Sequence, residues 1–105
     1  MKLQKYFKPL NKLNFLFVRR IVGNSMLPAL EDGQFVLISR RLNKNLNNQV
    51  VIVSHQGIDK IKRVSFSSKD EVYLLGDNLN HSTDSRQFGL VAKENIIGRL
   101  IWPKI

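Results

Sequence analysis

From Phe17 onward the apolar positions fall in short runs rich in β-branched residues, separated by clusters of Gly, Asn, Asp and Ser. Phe17–Val22, Phe35–Ser39, Val50–Ser54, Ile58–Phe66, Val72–Leu75 and Ile96–Ile101 therefore read as strands. Gly23-Asn24, Asp32-Gly33, Gly57, Ser67-Ser68 and Gly76-Asp77-Asn78 punctuate them. The Asn/Lys-rich stretch Asn43–Asn48 reads as a loop. A 3.6-residue period is scarce: the candidates are the N-terminal arm, the turn after Ser25, and Ala92–Asn95. The expectation is a mostly β domain of about six strands with little helix. Its sheet should be closed or folded over, because open edges are a hazard on a small domain.

At 105 residues and 43% hydrophobic content the chain has the size and composition of one globular domain. It carries 17 Lys+Arg against 8 Asp+Glu, a net charge of +9, and no cysteine. Disulfides, thiolate zinc sites and cysteine nucleophiles are thereby excluded. The basic excess suits nucleic acid, an anionic membrane surface or an acidic partner without choosing among them. Lys2, Lys5, Lys8, Lys12, Arg19 and Arg20 precede the first acid, Glu31. The longest apolar run there, Phe15 to Val18, is far short of the ~20 residues of a spanning helix, and Asn11, Lys12 and Asn14 interrupt any signal-peptide core. Residues 1–15 are expected as a basic arm, with peripheral membrane contact as its sharper reading, and 16–105 as the domain. The expected location is cytoplasmic.

Three segments carry candidate chemistry. In Val22-Gly23-Asn24-Ser25-Met26-Leu27-Pro28 a strand runs into residues that tolerate unusual backbone angles, then into one pushed extended by proline. That arrangement holds a hydroxyl at the lip of a sheet beside free N–H groups, though an ordinary turn fits the segment too. In Ile58–Phe66, alternation puts Ile58, Lys60, Lys62 and Val64 on one face. If Ile58 and Val64 face the core, Lys62 is drawn into apolar surroundings, which disfavour its ammonium form; a neutral lysine takes a proton from a serine hydroxyl. A solvated basic strand is the plain alternative. The third segment, Gly76–Arg86, ends a strand in Gly-Asp-Asn and then places Ser82, Asp84, Ser85 and Arg86 within five positions. Asp84 and Arg86 are positioned to pair.

In this order the three segments resemble the type I signal peptidase family of Ser/Lys proteases. The resemblance rests on Ser25-Met26-Leu27-Pro28, on Lys62-Arg63-Val64, and on Gly76-Asp77-Asn78 followed by Ser82-Thr83-Asp84-Ser85-Arg86. It implies Ser25 as nucleophile, Lys62 as general base, Ser82 orienting Lys62, and Asp84–Arg86 as a structural ion pair. Gly76, Asp77 and Asn78 would support the site, and Met26 and Pro28 beside the nucleophile would touch substrate. It also implies a signal-peptidase-like catalytic core, no metal and no cofactor.

Departures from the family pattern are Gly23 two residues before the nucleophile where some members have serine, Leu79 where arginine often follows Gly-Asp-Asn, and a connection cut down to Ser65–Asp70. The N-terminal residues are not expected to form the membrane anchor that members cutting exported proteins usually carry. These features, with the stretch Ser82–Gly89 and the ending Gly98-Arg99 and Trp102-Pro103, resemble the branch that matures nickel-type superoxide dismutase. That branch implies a precursor polypeptide as partner, trimmed at its N-terminus. Three other readings are weaker: a Ser-His-Asp triad using His55 or His81; a basic oligonucleotide-binding barrel stacking bases on Phe17, Phe35 or Phe66; and a self-cleaving repressor-type relative. No nucleic acid is expected as partner.

Overall fold

The computed structural model describes residues 15–105; apart from Phe15, the expected basic arm lies outside them. Seven strands form one antiparallel sheet: β1 (Leu16–Arg20), β2 (Phe35–Ser39), β3 (Val50–His55), β4 (Ile58–Ser67), β5 (Glu71–Leu75), β6 (Val91–Ala92) and β7 (Ile96–Trp102). Their order across the sheet is β1-β2-β7-β3-β4-β5-β6. Six of these match the expected runs; the two-residue β6 is additional. Ile21 and Val22, expected in the first strand, lie beyond it. Ile21 instead exchanges backbone hydrogen bonds with Gln34 and Gly33 (both 2.8 Å) and turns the chain inward. Among the described residues, helix is confined to the α-helical turn α1 (Ser85–Phe88) and two 3₁₀ turns, Leu79–His81 and Lys93–Asn95. The last of these falls within the expected Ala92–Asn95, whereas the segment after Ser25 forms turns without a helix.

Strand β3 explains why the sheet folds over. Val50 and Ile52 feed one apolar core, with Ile21, Met26, Leu30, Val36, Ile38 and Leu100. Val51 and Val53 feed a second, with Leu46, Val64, Val72, Leu74 and Val91. A strand apolar on both faces must be covered on both, so the sheet curls around it. Four strand steps separate β1 from β4, about 19 Å if flat. Yet Arg19 Nη1 on β1 meets Asp59 Oδ2 on β4 at 3.0 Å. No β1–β6 pairing closes the sheet, so of the two expected forms the folded-over one is present.

Candidate active site

The Ser25 turn is held from below by its neighbours. Met26 and Leu30 are fully buried in the first core, and Leu30 N–H donates to Met26 O at 3.0 Å. Gly23 adopts φ +89°, a left-handed conformation that side chains resist, and its N–H donates to Asp32 Oδ1 at 2.8 Å. Ser25 itself is half-buried, while Pro28 is exposed. Among the described residues the Ser25 N–H donates no hydrogen bond. Met26, expected to touch substrate, is placed in the core beneath the turn.

The loop after β5 docks on this turn. Asn78 N–H donates to Ser25 O at 2.8 Å, and Asn78 Nδ2 donates to Asn24 O at 3.1 Å. Gly76 sits between the two segments: a Cβ there would fall 2.6 Å from Ser25 O and collide with the Ser82 side chain. Asp77 receives Arg63 through two hydrogen bonds, Nε to Oδ1 at 2.8 Å and Nη2 to Oδ2 at 2.9 Å. Arg63 also donates to Asn48 O at 3.0 Å. The fork ties β4, next to Lys62, to the loop that holds the serine turn.

Asp84 is the hub of that loop and is completely buried. Oδ2 accepts from Gly76 N–H at 2.9 Å, Ser82 Oγ at 2.8 Å and Arg86 Nη2 at 3.2 Å. Oδ1 accepts from Arg86 Nε at 2.9 Å and Arg86 N–H at 3.2 Å. Burial alone would favour the protonated acid, but the hydrogen bonds from Arg86, Gly76 and Ser82 outweigh it and hold the carboxyl at about 2. Asp84 and Gln87 also form a capping box at the start of α1. Arg86 Nη2 further donates to Leu79 O at 2.6 Å. Ser85 Oγ, buried, accepts from Leu74 N–H at 2.8 Å.

Lys62 lies on β4 with only 6% of its surface exposed, next to the fully buried Val64. Ile58, expected to share that burial, is 60% exposed. It stands at the start of β4, past the reach of either core, so Val64 and the paired Val51 bury Lys62 instead. Desolvation lowers the Lys62 pKa; Asp84 opposes the shift by attraction and Lys60 adds to it by repulsion. The Lys62 ammonium makes no hydrogen bond or ion pair with a described residue. Its ammonium therefore meets neither Ser25 Oγ nor Ser82 Oγ directly, and the Ser82 hydroxyl is spent on Asp84.

Lys62 lines a groove of about 470 Å³ between the segment Arg20–Val22 and β4 residues Ile58–Lys62. Strand β5 pairs with β4 only from Arg63 onward, so Ile58–Lys62 present an unpaired strand edge to the groove. The serine turn begins directly after Val22. The sequence motifs contain Arg63 and Ser85 but gave neither a role, and Gln87 was not singled out; the Asp84-x-x-Gln87 spacing carries the capping-box signal for α1. Neither histidine joins Ser25: His55 stacks on Phe88 with ring centroids 4.4 Å apart, and His81 lies in the 3₁₀ turn. Of the rings considered for base stacking, Phe17 lies under Arg19 and Arg40, Phe66 stacks on Tyr73, and Phe35 is exposed. No group of three metal-ligating side chains gathers among the described residues. No helix among them is long and apolar enough to cross a membrane.

A folded-over antiparallel sheet that buries a lysine at the end of an open strand edge, with a serine turn docked alongside, defines a small β domain of peptidase type. Residues 2–101 match the Peptidase S24-like family, and the chain belongs to it. It is similar to the mitochondrial inner membrane protease subunit 1 of Xenopus tropicalis, 46% identical over 84 residues, covering 77% of this chain and 49% of that protein. It is also similar to signal peptidase I of Leptolyngbya laminosa, 33% identical over 94 residues, covering 87% of this chain and 43% of that protein. The chain thus spans about half the length of these curated relatives.

Proposed function

We propose that the chain is a serine endopeptidase with a Ser25/Lys62 dyad that removes an N-terminal extension from a precursor protein. The observation that carries this reading is Lys62: buried, its ammonium without a hydrogen-bond partner among the described residues, with a lowered pKa, lining a groove whose wall is an unpaired strand edge. A peptide enters by adding a strand to Ile58–Lys62 and so presents its backbone beside the serine turn. Neutral Lys62 takes the Ser25 proton as the hydroxyl oxygen attacks the scissile carbonyl carbon. The oxyanion is met by the free Ser25 N–H. The Gly23 N–H, already given to Asp32, is not available for that role. Collapse of the tetrahedral adduct breaks the C–N bond; Lys62 returns the proton to the leaving amine, and an acyl-Ser25 ester remains. Water, deprotonated by Lys62, then releases the acid.

Ser82 supports the base from its side: its hydrogen goes to Asp84, which leaves oxygen lone pairs to receive the Lys62 ammonium as the site tightens around substrate. Asn78 holds the Asn24 and Ser25 carbonyls in place, Gly76 and Asp77 anchor that loop to Asp84 and Arg63, and Pro28 at the surface flanks the bound peptide.

The substrate we infer is the precursor of a nickel-type superoxide dismutase, on the strength of the Ser82–Gly89 stretch and the Gly98-Arg99…Trp102-Pro103 ending. The reading carries with it a cytoplasmic location and peripheral membrane contact, if any, through the basic arm. The test is mass-spectrometric cleavage of that precursor by the wild-type chain, with Ser25→Ala and Lys62→Ala alongside. A single cut that exposes the mature N-terminus, absent in both variants, is the expected result. Cleavage by either variant overturns the dyad, and cleavage only of other precursors overturns the substrate.

A further inference from the structure

Lys62 shares its face of β4 with a second lysine. Strand alternation sets Lys60, Lys62 and Val64 on one side, and the register pairs Lys60 with Val53 and Lys62 with Val51. Both valines are fully buried in the second core, and both lysines line the same groove. Lys60 is half-buried, and its Nζ lies 4.6 Å from the centroid of the Phe88 ring. Phe88 ends α1, packs against the second core and is stacked on its neighbour His55. A ring fixed in this way gives the Lys60 ammonium a definite seat through cation–π attraction.

We propose that Lys60 is a positioning residue for the dyad: seated on Phe88, its ammonium makes a second positive charge on the same face of β4 unfavourable and so keeps Lys62 in the form that accepts a proton. This rests on the reading of Lys62 as the base. The remaining charged groups around Lys62 do not supply this effect. Asp84, from the loop before α1, acts in the opposite direction. Across the groove, Arg19 is tied to Asp59, and Arg20 stands on the edge strand with its guanidinium turned toward Gly33. His55 is on β3 and stacks on the Phe88 ring. Among the described residues, Lys60 alone is a cation that is both a near neighbour on the same strand face, about 6.6 Å along the chain, and held in place.

The experiment follows the ¹³Cε resonance of Lys62 against pH in lysine-labelled protein, with the signal assigned by its loss in Lys62→Met. In Lys60→Met the Lys62 midpoint moves to higher pH, in Lys60→Arg it stays, and in Phe88→Leu it moves part of the way. Precursor cleavage by Lys60→Met falls about three- to tenfold on the acid limb of kcat/KM and regains the wild-type rate on the alkaline plateau. Lys60→Gln repeats the measurement should the methionine variant not fold. An unmoved Lys62 midpoint in a folded Lys60 variant overturns the proposal, as does a rate loss equal at every pH. Persistent cleavage by Lys62→Met overturns the base instead, and the resonance still reports whether the two lysines interact.

Discussion

Asp84 and Lys62 are both buried charged groups in one small domain, and their surroundings are opposite. Asp84 accepts hydrogen bonds on both oxygens from Gly76, Ser82 and Arg86, so its charge is stabilised and its carboxyl held low. Lys62 is enclosed by Val51 and Val64 without a hydrogen-bond partner, so its charge is penalised. A saturated network resists change and holds geometry; an unsatisfied cation gives up its proton readily. The difference suits Asp84 to a structural role and fits the proposed role of Lys62 as the base.

The largest effect breaks the reactive side. Ser25→Ala and Lys62→Met each lower precursor cleavage at least about 10³-fold, measured by mass spectrometry, and Lys62→Arg is equally inactive because its guanidinium stays protonated. The same Lys62→Met substitution leaves thermal stability equal or higher, since it removes a desolvated ammonium. A clear loss of Tm would instead mean that Lys62 has a structural partner.

Next comes the structural side. Asp84→Asn turns an amide NH₂ toward donors that Asp84 now accepts from, Gly76, Ser82 and Arg86, and is expected to cost about 2 kcal/mol in chemical denaturation, with activity falling through displacement of the Gly76–Asn78 loop. Gly76→Ala forces Ser25 and Ser82 apart and is expected to abolish cleavage while the sheet remains folded, which circular dichroism checks.

The pH dependence of stability separates the two groups further. The folded Asp84 pKa of about 2 lies below its ordinary 3.8, so its contribution is complete above pH ~4, is lost as pH falls toward 2, and amounts to about 2 kcal/mol. In Asp84→Asn this acid slope disappears from the denaturation midpoints. Lys62 has the reverse origin. Between its lowered folded pKa and the ordinary 10.5 the unfolded chain binds more protons, so its cost to stability is relieved as pH rises. Lys62→Met flattens that alkaline rise.

A smaller effect is expected of Ser82→Ala, about tenfold in kcat with little change in KM, because in the proposed mechanism its hydroxyl acts on the base and not on substrate. A rate drop as deep as that of Ser25→Ala would place Ser82 in the reaction itself.

Much of this was legible in the residues. Alternating β-branched runs marked six of the seven strands, because the pleat sorts side chains between two faces whatever the tertiary setting. The Asp84–Arg86 pair was readable from its spacing, since both partners lie within one turn. Burial of Lys62 was readable only in part: Val64 behaves as expected, but Ile58 is exposed, because the cores end before the tip of β4. The short α1 was missed even though Asp84-x-x-Gln87 announces it, because four residues show no helical period.

The amino-acid sequence by itself determined what is local: the strand runs, the turns that separate them, the charge, and the ordered serine, lysine and Gly-Asp-Asn segments. Only the tertiary structure decided what depends on distant residues meeting. The fold-over around doubly apolar β3 brought Arg19 to Asp59 and opened the groove. The Asn78 contacts docked the serine turn, and packing of Phe88 under Lys60 put a second cation beside Lys62. Such contacts join residues tens of positions apart, and their geometry follows from how the two cores pack around β3, which no short window of sequence contains.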